Sequence, residues 1–286
     1  MNRTYLRAAA LVTVLPLTIF LFARYLATHT SLRHQLLHTN PWVLVLLIGL
    51  YMCCIATNAL IQLATLRLCK ISLEPRENLL LTMYTSMVNF FGPLQSGPAF
   101  RVVYLKKKHS VKLKNYAVAT LVYYALYAAF NGLFLLSGIL DWWLAGLAVG
   151  GLGILGLTRN TKFWQRFKQL DLGGLGFLAG ATLLLVCLLS LIFYIELKTV
   201  VPSVHFSQAI VYAGAANLAL FVSFTPGAIG FRESFLYFSQ RLHHLGTATI
   251  IAANLIDRSV YIVTLVILAV YIFGSHARKQ LKSEAH

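Results

Sequence analysis

Two long hydrophobic stretches of this chain are interrupted by Pro and Gly at matching places, and each interruption closes on Phe-Arg. The first reads Phe91-Gly92-Pro93-Leu94-Gln95-Ser96-Gly97-Pro98-Ala99-Phe100-Arg101. The second reads Phe224-Thr225-Pro226-Gly227-Ala228-Ile229-Gly230-Phe231-Arg232. The prolines Pro93 and Pro226 stand 133 positions apart (226 minus 93), and the arginines Arg101 and Arg232 stand 131 apart (232 minus 101). Proline lacks a backbone donor and cannot continue a helix interior. Backbone freed in this way at membrane depth is tolerated only where it is buried in protein or lines a water-filled cavity. Paired Gly/Pro interruptions in the two halves of a chain therefore point to a polar site between them.

The membrane setting follows from the residues available to cover a surface. Of 286 residues, 58% are hydrophobic and 11% charged, with a mean hydropathy of +0.73. A soluble domain carries about 25% charged residues. The apolar runs are continuous, whereas a transmembrane β-barrel alternates in segments of about ten residues. An all-α polytopic membrane protein is expected. Lys and Arg number 24 against 8 Asp and Glu. In such a chain the excess reads as loop charge that sets orientation and meets anionic head groups, not as nucleic-acid binding. Cys53, Cys54, Cys69 and Cys187 show no C-x-x-C spacing, and no H-E-x-x-H occurs, so no metal is expected. No GxxxxGK[ST] loop, G-x-S-x-G elbow or carboxylate cluster is present, so neither a cofactor nor enzymatic chemistry is expected.

Apolar segments fall near 8–26, 41–66, 79–100, 115–140, 142–158, 174–196, 208–238 and 247–272. The first resembles a signal peptide but is read as an uncleaved helix, because the repeat below requires it. Basic residues follow the second (Arg67, Lys70, Arg76), the third (Arg101, Lys106, Lys107, Lys108, Lys112, Lys114), the fifth (Arg159, Lys162, Arg166, Lys168) and the last (Arg278, Lys279, Lys282). The positive-inside rule puts both termini in the cytoplasm. Segment 79–100 then has basic flanks on both sides and must enter and return; segment 208–238 has charge-poor flanks on both sides and must do the same from outside. These are the two segments with Pro/Gly breaks. Segment starts also repeat: 8 with 142, 41 with 174, 79 with 208, and 115 with 247. The expected architecture is a single membrane domain over 1–286, with six spanning helices and two re-entrant broken hairpins. Residues 1–140 form one half, 141–275 its inverted copy, and 276–286 a cytoplasmic tail.

A charged residue at the bilayer centre costs about 2.5–3.5 kcal/mol on the insertion scale and persists where it faces a cavity or a partner. Arg101, Arg232, Glu233, Asp257 and Arg258 qualify, with Asn89, Asn131, Asn217 and Asn254 at similar depths. Arg101, Arg232 and Arg258 could converge on an anionic head group, since guanidinium binds phosphate bidentately. The alternative is structural: ion pairs tying hairpin to helix, with Arg232 on Asp257 or Glu233 on Arg258. Arg101, beside the basic loop, could instead snorkel. Pro93, Gly97, Pro226, Gly227 and Gly230 are the expected hairpin breakers.

The second motif, Pro226-Gly227-Ala228-Ile229-Gly230-Phe231-Arg232-Glu233, resembles the P-G-x-x-G-x-R-E pattern of the lysylphosphatidylglycerol synthase transmembrane region, a region also found as stand-alone flippase-like inner-membrane proteins. Those relatives carry an Arg in the last helix, which here would be Arg258. Asn89, Pro93, Gly97 and Arg101 are similar to the family's early N-x-x-x-P-x-x-x-G-x-x-x-R pattern, with Pro98 standing in a stretch that is usually Gly-rich. The resemblance implies a domain that moves lipids with charged head groups, such as anionic or aminoacylated phospholipids or lipid-linked precursors. A competing expectation is a non-transporting partner or scaffold for a cytosolic lipid- or polysaccharide-synthesis enzyme, docked on the basic face. An integral-membrane transferase ranks below both.

Overall fold

The computed structural model describes residues 40–91, 96–138, 172–222 and 230–284, and these are helical with no strand among them. In chain order the helices are α1 (Pro41–Leu68), α2 (Pro75–Phe91), α3 (Gly97–His109), α4 (Leu113–Leu136), α5 (Leu172–Val200), α6 (Phe206–Ala219), α7 (Phe231–Phe238), α8 (Gln240–His243) and α9 (Thr247–Glu284). A short 3-10 turn, Leu220–Val222, extends α6. Segments 8–26 and 142–158 lie outside the described residues.

Four stretches are long and apolar enough to cross a membrane: Pro41–Leu68, Leu113–Leu136, Gly173–Val200 and Thr247–Ile272, with mean hydropathies of 2.3, 1.5, 2.5 and 2.0. The shortest, 24 residues, rises about 36 Å, against a hydrocarbon core of about 30 Å. Local signals start α1: Pro41 opens it, and the Asn40 side chain accepts from the Trp42 amide at 3.0 Å. Inside the helices, hydroxyls that find no water bond back one turn, as Thr57 does to Cys53 O, Ser190 to Val186 O and Thr264 to Val260 O. Large apolar side chains such as Leu121 and Val270 point outward, as a lipid-facing surface requires.

The packing gives the helices their directions. At the end of α1, the Arg67 guanidinium stands 5.6 Å from the Phe177 ring centroid at the start of α5. Tyr51, early in α1, and Phe193, late in α5, share a cavity. The two helices are therefore antiparallel, and Leu47, Ile61, Leu178 and Ile192 contribute to their common core.

Each interrupted segment forms a hairpin. Ser96 Oγ donates to Val88 O at 3.2 Å, Arg101 Nη2 to Thr85 Oγ1 at 3.0 Å, and Tyr104 OH to Glu77 Oε1 at 2.7 Å. Numbers rise along α3 as they fall along α2, so the chain returns to the end at which it entered. In the second case Gln208, at the start of α6, donates to His243 O at 3.2 Å, and the Tyr212 ring sits edge-on to His243. Again entry and exit lie together. The first hairpin opens where α1 ends and α4 begins, around Leu66, Leu73, Leu105 and Tyr116. The second opens where α5 ends and α9 begins, around Leu197, Val204, Leu245 and Ile250. Since α1 and α5 run oppositely, the hairpins enter from opposite ends of the bundle. Exposed Arg67, Lys70, Arg76, Lys106, Lys107, Lys108, Lys112 and Lys114 gather at the first end, and only Lys198 and Arg241 among the described Lys and Arg side chains stand at the second.

Candidate functional site

The two hairpin tips meet a common cavity of about 310 Å³. Asn89, Gly97 and Pro98 reach it from the first, and Asn217, Leu220 and Arg232 from the second. Tyr51 of α1, Tyr127 of α4, Phe193 of α5 and Asp257 of α9 complete its wall. A wider, open hollow of about 690 Å³ lies at the α7–α8 turn around Tyr237, Arg241 and His244, and none of the five charged residues singled out by sequence lines it.

Local chemistry sets each tip. An added Cβ on Gly97 would stand 2.7 Å from Thr85 O and 2.8 Å from Asn89 Cβ, so only glycine lets α3 come this close to α2. Gly230 has φ +85, a conformation other residues rarely adopt, and α7 starts immediately after it. The Gly230 amide donates to Glu233 Oε2 at 2.8 Å, which satisfies one of the open donors of the α7 N-terminus. Behind the tips, Asn217 Nδ2 donates to Asn131 Oδ1 at 2.8 Å, tying α6 to α4.

All three arginines singled out in the sequence line the cavity. Their environments differ. Arg232 Nη1 donates to Asp257 Oδ2 at 2.5 Å, and its guanidinium lies 4.7 Å from the Phe193 ring centroid. Arg258 Nη2 donates to Glu233 Oε1 at 2.5 Å. Both expected pairs thus form, and both bridge α7 to α9. Arg101 has no carboxylate partner among the described residues. It donates to Thr85 Oγ1, while its buried Nε and the nearby Asn89 Oδ1 have no hydrogen-bond partner among the described residues. Asn254 is buried but donates to Ile250 O within its own helix and is not part of the cavity wall. Pro93, Pro226 and Gly227 lie outside the described residues.

Three participants were not singled out by sequence. Tyr51 donates its hydroxyl to Asp257 Oδ1. Phe193 covers the Arg232 guanidinium. Glu196, 1% exposed, buries both carboxylate oxygens with no hydrogen-bond partner among the described residues. An acidic residue at the end of the apolar run 174–196 was the available signal for Glu196. No protein-family model, no curated protein and no solved structure matches the chain.

Proposed function

We propose that this chain is a lipid translocase, in which the two hairpins act as re-entrant loops of an inverted repeat in a bacterial inner membrane and the cavity between them receives a charged head group. One observation carries this reading. Arg101 brings a positive charge to the cavity with no carboxylate among the described residues to answer it, beside two further arginines that are already paired. A half-buried cation without a counter-charge is costly, and an anionic group entering the cavity offsets that cost. The cavity holds a head group rather than a whole lipid; the acyl chains would remain in the bilayer beside the bundle. The paired arginines hold α7 against α9 and keep their charges balanced between cargo molecules. An anionic or aminoacylated phospholipid or a lipid-linked phosphate fits this charge pattern. The concentration of Lys and Arg at one end supports a cytoplasmic first-hairpin mouth.

Reconstitution into vesicles containing a fluorescent anionic phospholipid tests the reading. Leaflet exchange is expected in the wild type, with Arg101→Ala slowing it roughly tenfold to a hundredfold, the equivalent of losing about 1.5–3 kcal/mol of charge-assisted bonding. Exchange at the protein-free rate, or exchange unaffected by Arg101→Ala, refutes it.

A further inference from the structure

Around Phe193, several buried polar atoms have no hydrogen-bond partner among the described residues. They are both carboxylate oxygens of Glu196, the Tyr212 hydroxyl, and Nε and Nη2 of Arg232. Glu196 lies three residues beyond Phe193, on the same face of α5. The Phe193 ring contacts both the Arg232 guanidinium, at 4.7 Å, and the Tyr212 ring, at 5.6 Å between centroids. The charges of Asp257 and Arg232 both act on Glu196, and Glu196 in turn acts on Tyr51 and Tyr212. The ionisable groups facing Glu196 are therefore Tyr51 from α1, Tyr212 from α6, Arg232 from α7 and Asp257 from α9.

One buried cation, Arg232, answers two buried carboxyl groups, Asp257 by direct contact and Glu196 through its field. Arg232 is already bonded to Asp257, so an ionised Glu196 would leave a net negative charge in an apolar interior without a hydrogen bond to hold it. Such a charge costs several kcal/mol, and a single proton removes it.

We infer that Glu196 and Asp257 share one proton across Arg232, which makes Glu196 a proton-binding site coupled to the cavity. In the arrangement seen here the proton sits on Glu196 and Arg232 bonds Asp257. In the alternative, the Glu196 O–H bond breaks, an O–H bond forms on Asp257, and Arg232 turns its open Nε and Nη2 donors to Glu196. Charge is conserved: one cation, one carboxylate and one proton in both states. Asp257 faces the cavity and Glu196 lies toward the mouth of the second hairpin, so the exchange moves a proton between the two sides of Arg232. A metal cation is a poorer occupant, because Arg232 already supplies positive charge there. The inference rests on the translocase reading only for its purpose, energy coupling by protons.

Infrared difference spectroscopy on the purified protein near neutral pH tests it without any lipid moving. A protonated-carboxyl C=O band is expected in the wild type. It should shift when glutamate alone is isotope-labelled and disappear in Glu196→Gln. Should that variant fail to fold, Glu196→Asp is expected to keep the band but lose its response to labelled glutamate. Absence of a glutamate carboxyl band in the wild type, or its persistence in Glu196→Gln, overturns the inference. A wild type that shows the band yet exchanges no lipid sinks the translocase reading and leaves the proton site standing; exchange without the band does the reverse.

Discussion

Arg101, Arg232 and Arg258 occupy one cavity, yet only Arg101 lacks a carboxylate among the described residues. Sequence set Arg101 apart only by the basic loop beside it, and packing separates all three by what each touches. Glu233 shows how closely residue roles are combined here. One of its oxygens takes the Gly230 amide and the other takes Arg258. Glu233→Gln keeps an oxygen for the amide but loses the charge facing Arg258; Glu233→Ala loses both. Thermal unfolding in detergent should therefore rank wild type above Glu233→Gln above Glu233→Ala, with the alanine variant down by about 1–3 kcal/mol. Equal losses would mean that the cap contributes nothing. Gly230→Ala has a different cause, the positive φ, and is expected to cost about 1–2 kcal/mol by the same measurement.

The two hairpins are built alike but closed by different chemistry. At the first mouth, Glu77 accepts from Lys108 at 3.0 Å and lies 2.7 Å from His109 Nε2. Burial pushes the Glu77 carboxyl up, but hydrogen bonds from His109, Tyr104 and Lys108 outweigh it and hold it at about 2, against an ordinary 4.5. A depressed carboxyl stabilises the fold above its ordinary value, and that contribution fades as pH falls from about 4.5 toward 2. At the second mouth, His243 is fully buried, with Nε2 at 3.0 Å from Leu236 O and Nδ1 accepting from the Leu245 amide at 3.1 Å. Both ring nitrogens are engaged by a neutral imidazole, and burial pulls its value below the ordinary 6.5. A depressed histidine stabilises above its ordinary value and loses that contribution as pH falls below about 6.5. Hydrogen exchange under mild acid should thus loosen residues 231–246 before residues 75–109. Simultaneous loosening would count against this division.

For the whole molecule, the antiparallel α1–α5 pair places the hairpin mouths at opposite ends. Scanning with single cysteines tests this in membranes. Cys53, Cys54, Cys69 and Cys187 are free and would be replaced first. Burial pushes the Cys69 thiol up to about 11, so it should react slowly with maleimide even before replacement. Cysteines at Lys70, Lys112 and Ser110 are expected to label from one side, and those at His205, Arg241 and Gly246 from the other. Labelling of positions 110 and 205 from the same side would dismantle the arrangement and the cavity reading with it.

Sequence alone determined that the chain is helical and apolar enough for a membrane, where α1, α4, α5 and the apolar span of α9 run to within a few residues, and which two segments break; α9 itself continues to Glu284. Those properties are local: hydropathy over about 20 residues, and the inability of Pro and Gly to sustain a helix, need no partner. It also named the five charged residues that meet at the α7–α9 contact and the Arg101 corner, because a charge in an apolar run is costly wherever it lies. Which arginine stays without a carboxylate among the described residues, and that Tyr51, Phe193 and Glu196 join them, was decided only by tertiary packing. Tyr51 and Asp257 are separated by most of the chain, and Glu196 becomes a buried carboxyl only when α6 and α7 fold over it. A charge's partner depends on which helices come together, and no stretch of sequence carries that information by itself.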